Sequence, residues 1–545
     1  MKICTLFVFS LFLILLGSCM KGENVDLIIH NAEIHCLDDL NTVSEAMAIR
    51  NGRIIEVGPE RQILNKYTAN EYVDAENRAV YPGFVDAHGH MLSYANQKLS
   101  VDLVASSSLA EVITRTEKYQ QKTQKTFVVG RGWDQSLWKM DSLPDNALLN
   151  KAFPTIPVCL YRIDGHAALV NDCLLKMAGI APGAIDGGEV VLKNGKCSGL
   201  LIDNAMNLLK ASIPRYSNSE INTAILEIQE ELLQYGITGV HEAGIDYEDI
   251  DIFKSLIQSK KLKLNIYAML LPSEKNKNFA AKNGVYQFQN LNIRSFKLFA
   301  DGALGSRGAL LKETYDDDDH KHGLLTMPIL KMQEMSDFCS KIGYQLNTHA
   351  IGDSANNIIM NLYKKEYLRN KDHRWRIEHA QVVDVKDLHC FADYAIFPSV
   401  QPTHAVSDQR WAEMRLGKER MKGAYAYRSL LEAFGMIAIG TDFPVEATNP
   451  FLTIFAATQR KDKNNFPKNG FLMDEQLSLD QVLKGMTIWA AFAAFEEKSR
   501  GTITKGKEAT FFIAQRPISN ETTFTPNFSH KTYILGNMVY SDDEL

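Results

Sequence analysis

The sequence predicts an α/β fold built on a TIM (β/α)8 barrel, on three observations. Short apolar segments alternate with amphipathic stretches through the middle of the chain, the pattern of βα units. Eight such segments can be placed, the number a closed parallel barrel needs. Compact strand-and-turn patterns occupy both ends, outside the alternation. At 545 residues the chain far exceeds the roughly 250 of a bare barrel. Attachments must account for the surplus. With 45% apolar and 23% charged residues the composition is that of a globular protein, which excludes disorder and coiled coil. A net charge of −6 offers no basic face, so a nucleic-acid partner is excluded.

In chain order, Lys2 is followed by the apolar run Leu6 to Leu16 and then Gly17-Ser18-Cys19. A basic start, a short apolar core and small residues read as a secretory signal. The run is too short to span a bilayer, which takes about 20 helical residues. Leu16-Gly17-Ser18-Cys19 also resembles the lipobox of bacterial lipoproteins. That resemblance implies removal of residues 1–18 and lipidation of Cys19. An ordinary signal with a chance cysteine is the alternative. The expectation is a chain lipid-anchored to a bacterial membrane, facing the periplasm or exterior. Cys36, Cys159, Cys173, Cys197, Cys339 and Cys390 lie in the body with no CxxC pair, so their pairing stays open.

Residues 19–82 read as strands and tight turns. Arg50-Asn51-Gly52-Arg53 between apolar runs is a strong hairpin signal. Residues 500–545 look alike, with a turn expected at Gly536-Asn537. Neither end can hold a core alone, so the two are expected to pair into one small β-sandwich. Residues 83–499 form the barrel. Its strands are expected at Phe84–His88, Ile237–Glu242, Leu264–Leu270, Ile293–Ala300, Gln345–His349, Trp375–His379, Ile396–Gln401 and Met436–Thr441. Helices are expected at Glu220–Tyr235 and Leu479–Phe495. The gap after the first strand far exceeds a helical crossover, so roughly residues 93–220 are an insertion over the catalytic face.

The chemistry gathers at the strand ends. His88 and His90 are two apart, so on a strand both imidazoles face one way, which makes half a metal site. His349, His379 and Asp442 each stand where an apolar strand gives way to a loop. Such polar ends are costly to bury unpaired. Lys297 lies inside an apolar strand and must be paired, neutral or modified. A salt bridge to Asp301 is one reading. A carbamate, formed from the neutral amine and CO2, is the other; it would supply a carboxylate-like metal ligand.

Together these residues resemble the amidohydrolase superfamily, with HxH on the first strand, Lys on the fourth, His on the fifth and sixth, and Asp on the eighth. Tyr81-Pro82-Gly83-Phe84-Val85-Asp86-Ala87-His88-Gly89-His90 is similar to that family's opening motif. Asn347 to Asp353, Arg376 to Gln381 and Gly440 to Val445 resemble its amidohydrolase-3, YtcJ-like branch, as do the insertion segments around Trp133 and His166. The resemblance implies that His88, His90, Lys297 and Asp442 hold one divalent metal, and Lys297, His349 and His379 a second. Zinc is the default ion for such ligands, one or two in number. It further implies a metal-activated water and Asp442 as the catalytic proton shuttle. Thr510 stands where the family commonly has Asp near its last strands, a departure far from the chemistry.

Trp133, His166, His241 and His404 are the weaker candidates, for contact with substrate. The Asp316 to Asp319 run with His320 and His322 reads as a solvated loop. The expected activity is hydrolysis of a non-peptide C–N bond in a small molecule: an amide, formamide or cyclic amide. Ester, carbamate or phosphoester hydrolysis at the same site, or an anchored binding protein, are the alternatives.

Overall fold

The structure, a computed structural model, describes residues 22–138, 143–521 and 523–544. The signal segment and Cys19 lie outside the described residues. Eight parallel strands form the central sheet in sequential order: Phe84–Gly89, Ile237–Ile245, Asn265–Leu270, Leu291–Phe299, Gln345–Ala350, Arg376–His379, Phe397–Val400 and Ala438–Ile439. All eight expected strands form. Their buried faces are near-continuous apolar runs because helices cover the outside of the sheet.

The eighth strand is only two residues long and makes no regular ladder with the first. The gap is closed by single bonds instead. The Asp442 N–H donates to the His88 carbonyl at 2.7 Å. The Thr441 N–H and hydroxyl donate to the Asp86 carboxylate at 3.1 and 2.6 Å. Barrel closure and site assembly are therefore one event, since His88 and Asp442 flank the seam.

The helix expected over Leu479–Phe495 is two helices, Leu479–Gly485 and Ile488–Ala493. The break leaves the Met486 carbonyl free to accept the Val85 N–H of the first barrel strand at 2.8 Å. Satisfying that strand's backbone offsets the interrupted helix. The helix Asn218–Leu233 starts where Ser217 and Glu220 form a reciprocal capping box.

The two ends of the chain build two further sheets. One is four-stranded, with Arg53–Gly58, Ala46–Arg50, Glu23–His30 and Tyr67–Asp74 in order. Asn51 and Gly52 both take positive φ in its hairpin, as a type I′ turn requires. The other sheet, of six strands, pairs Phe511–Ala514 antiparallel to Ala79–Pro82, so distant ends of the sequence share one ladder. Leu27, Ile29 and Ile49 of the first sheet pack with Val80, Phe511 and Ile513 of the second in one apolar cluster. The last hairpin turns at Leu535-Gly536, one residue before the expected position, because Ile534 pairs with Asn537.

The insertion folds as a six-stranded sheet spanning Val101 to Asp203, carrying the helices Leu109–Thr123, Ala147–Ala152 and Asp172–Met177. Alternation along Val158–Arg162 sends Leu160 into one core with Trp133 and Trp138, and Cys159 into another with Leu174. The six cysteines of the body are free thiols. No helix among the described residues is long and apolar enough to cross a membrane.

Candidate metal centre and substrate cavity

The strand ends converge at the C-terminal mouth of the barrel, on the floor of a cavity of about 1510 Å³ roofed by the insertion. His88 is fully buried and lies behind the cavity-lining residues. Its Nδ1 lies 2.5 Å from Glu378 Oε2. Glu378 is also 2.9 Å from the Arg376 guanidinium, and both are fully buried. Burial opposes ionisation of Glu378, but Arg376 and His88 outweigh it and hold the carboxyl well below its usual range. A fixed carboxylate on Nδ1 sets the tautomer and aims the Nε2 lone pair into the site. That Nε2 lies 3.1 Å from Lys297 Nζ and 3.7 Å from Asp442 Oδ1.

Asp442 is the hub. Its Oδ1 is 3.1 Å from His90 Nε2, and its Oδ2 is 3.3 Å from His404 Nε2. His404 is held from behind by Glu446, at 3.1 Å from Nδ1. Burial resists a charge on Asp442, yet His404 and His90 keep the carboxyl well below its ordinary value. Asp442 and His379 both adopt positive φ (63° and 73°), which is costly for residues with a Cβ and clusters at functional sites. Sequence patterning carries no signal for that strain.

His88, His90, His349 and His379 are held neutral, whereas burial of His404 is outweighed by Asp442 and Glu446, which push it up to about 10 and keep it cationic. Burial, then Lys297, pushes His88 down to about 4. Burial lowers His90 although Asp442 opposes it. His349 and His379 are driven well below the ordinary value by burial, His349 also by His379. Burial brings Lys297 down to about 8. Neutral imidazoles and an ionised carboxylate are the protonation states a divalent metal requires.

The donor set fits such an ion. His88, His90 and Asp442 each offer a ligand atom within 4.8 Å of the others, and so do His379, His404 and Asp442. His349 Nε2, His379 Nδ1 and Asp442 Oδ1 are buried without a hydrogen-bond partner, which is unfavourable unless something else engages them. The His349 and His379 ring centres are 4.6 Å apart. His404, expected only as a substrate contact, stands in the second cluster.

The other expectations divide. His166 faces the cavity, its Nδ1 2.7 Å from Asp203 Oδ1 and its ring 5.2 Å from that of His349. Trp133 does not reach the cavity. Its ring is buried in the insertion core and its Nε1 donates to the Leu160 carbonyl at 2.7 Å, because a register irregularity between Arg131 and Trp133 turns it away while Arg131 and Asp134 line the cavity. His241 does not line the cavity either. It lies beneath the floor, its Nδ1 accepting from Arg376 at 3.0 Å. Lys297 does not pair with Asp301. That carboxylate accepts the N–H groups of Leu310, Ile351 and Gly352 instead. Glu378, Glu446 and Arg131 were not anticipated. Glu378 sits beside His379 in the strand-six motif, and a charged pair with Arg376 inside an apolar strand was the available signal.

Several known proteins are similar to this chain. The chain is 30% identical to protein LONG AFTER FAR-RED 3 of Arabidopsis thaliana, covering 95% of this chain and 92% of that protein. It is 29% identical to the putative amidohydrolase YtcJ of Bacillus subtilis (94% and 98%), and 24% identical to the N-substituted formamide deformylase of Arthrobacter pascens (90% and 93%). The crystal structure of an uncharacterized metal-dependent hydrolase from Pyrococcus horikoshii superposes with a TM-score of 0.74 at 25% identity, over 90% of this chain and 97% of that one. Residues 71–540 match the amidohydrolase family as a whole. The chain belongs to the amidohydrolase family, and is a metal-dependent hydrolase.

Proposed function

We propose that this hydrolase cleaves a non-peptide C–N bond: an amide, formamide or cyclic amide. The observation that carries the reading is the convergence of neutral His88, His90 and His379 on ionised Asp442, with buried lone pairs left unengaged. The formamide-cleaving activity named for the Arthrobacter relative supports the choice of bond.

His88, His90 and Asp442 would hold a divalent metal, zinc by ligand type, with Lys297 beside His88. Lys297, His349 and His379 would be the ligands for a second ion. Carbamylation of Lys297 would complete both sets, and its burial favours the neutral amine that reacts with CO2. When bound, the metal supplies an acidified water and polarises the bond under attack. Asp442 is placed to accept a proton from an attacking water and would pass it to the leaving nitrogen. His404, donating to Asp442 Oδ2, fixes the direction in which the carboxylate presents Oδ1. Lipidation of Cys19 and a site at the outer face of a bacterial membrane complete the proposal.

Metal analysis with a screen of N-formyl and N-acyl compounds tests it. His88→Ala should lose metal and turnover together, and Asp442→Asn should lose turnover with the fold intact. Full activity in a metal-free preparation would overturn the metal role. Cleavage of esters, carbamates or phosphoesters but no amide would move the reaction to another bond.

A further inference from the structure

We propose that Arg131 is the anchor for a carboxylate on the substrate, so that the compounds this site cleaves are amides of amino acids, such as N-acyl or N-formyl amino acids. The inference rests on the C–N hydrolase reading and narrows its substrate class.

Arg131 comes from the insertion strand Val128–Trp133 and lines the cavity. Its Nη1 donates to Ser93 Oγ at 3.0 Å and its Nη2 to the Ile163 carbonyl at 3.1 Å. Both partners are neutral. Its Nε is buried with no partner. No carboxylate of the described residues lies within 4.0 Å of it. Arg131 is only partly exposed, and a partly desolvated guanidinium without a counter-ion is unfavourable.

The neighbouring acids are already committed. Asp134 and Asp164 pair with Arg162, Asp203 with His166, and Glu231 with Lys98. Asp442 sits between His90 and His404. Arg131 is thus a guanidinium at the wall of the cavity, beside the metal-type cluster, that no acid among the described residues pairs. A guanidinium fork matches a carboxylate in shape and binds it bidentately. Ser93, which Arg131 holds, is in the first turn of the helix Met91–Lys98 that directly follows His90. Arg131, Ser93 and His90 all line the same cavity, so one small substrate can meet the guanidinium and the metal-type cluster together.

The test uses metal-stripped protein, so that neither turnover nor metal–carboxylate contact contributes. N-formylglycine, N-formyl-β-alanine and N-formyl-γ-aminobutyrate are each titrated calorimetrically beside their primary amides. The wild type should bind at least one acid tenfold or more tighter than its amide. Arg131→Gln should erase the difference, and Arg131→Lys, which keeps the charge without the fork, should retain part of it. Circular dichroism reports whether each variant folds; if Arg131→Gln does not, Arg131→Lys alone decides, by a reduced preference. No acid binding, equal affinities in all three pairs, or a preference that survives in the variants overturns the anchor. The metal-loaded enzyme is then assayed on the same pairs. Arg131-dependent binding without hydrolysis defeats the amide reading and leaves the anchor. Hydrolysis without an Arg131-dependent acid preference does the reverse.

Discussion

Replacing Glu378 with Gln removes one charge and almost no volume from the centre of the molecule. Two effects follow, and they separate. Arg376 loses its counter-ion at 2.9 Å while remaining fully buried. Breaking a buried pair on one side costs about 3–5 kcal/mol. Meanwhile His88 Nδ1 loses the carboxylate 2.5 Å away that fixes its tautomer. An amide can meet Nδ1 as donor or acceptor, so Nε2 no longer presents a lone pair reliably. Loss of such an outer-shell partner lowers metal affinity about 10–100-fold. Competition against a chelator reads the second effect, and urea unfolding followed by barrel-localised hydrogen exchange reads the first. Adding Arg376→Met to Glu378→Gln should recover most of the lost stability but none of the metal affinity. Wild-type metal affinity in Glu378→Gln would refute the claim that Glu378 positions His88. Equal instability of the single and double variants would refute the counter-ion account.

Three further outcomes follow from the same geometry. Burial pushes the Glu242 carboxyl up to about 8, against the pull of the Met91 and Leu92 N–H groups it accepts. The folded chain thus keeps a proton that the unfolded chain sheds above its ordinary value of 4.5. This contribution to stability is complete below 4.5 and fades as pH rises through 8; unfolding measured across that range should show a shallower slope in Glu242→Gln. In Gly89→Ala the new Cβ would lie 2.3 Å from Phe443 Cε1, between two ligands and next to Asp442. Overpacking of this kind costs about 1–3 kcal/mol, so metal affinity and melting temperature should both fall, and an unchanged melting temperature would contradict the packing. Trp133→Phe removes a buried hydrogen bond in the insertion core, about 1 kcal/mol, and should lower stability while KM holds; a large rise in KM with stability intact would put Trp133 back in the cavity.

Much of the barrel was legible because its signals are local. Apolar runs such as Leu264–Leu270 and the capping pair Ser217 and Glu220 declare strand and helix within a few residues. The failures are those of direction and partnership. Trp133 and Arg131 are two residues apart in one strand, yet a register irregularity between Arg131 and Trp133 against the neighbouring strand places one in the core and one in the cavity. The break at Gly485 to Thr487 answers a need of Val85, some four hundred positions away along the chain, which no helical pattern reports.

By itself the sequence determined the alternation of elements, the residue types at the strand ends and the family they resemble, because hydrophobic period and strand position are local properties. Only the tertiary structure decided which donors meet. It joined His88 to Glu378 and Asp442 across the barrel seam, placed His404 beside Asp442, buried Lys297 against His88, and left Arg131 without a carboxylate. Such pairings depend on the closure of distant strands and on what each buried charge finds within a few ångströms, and neither is written in neighbouring residues.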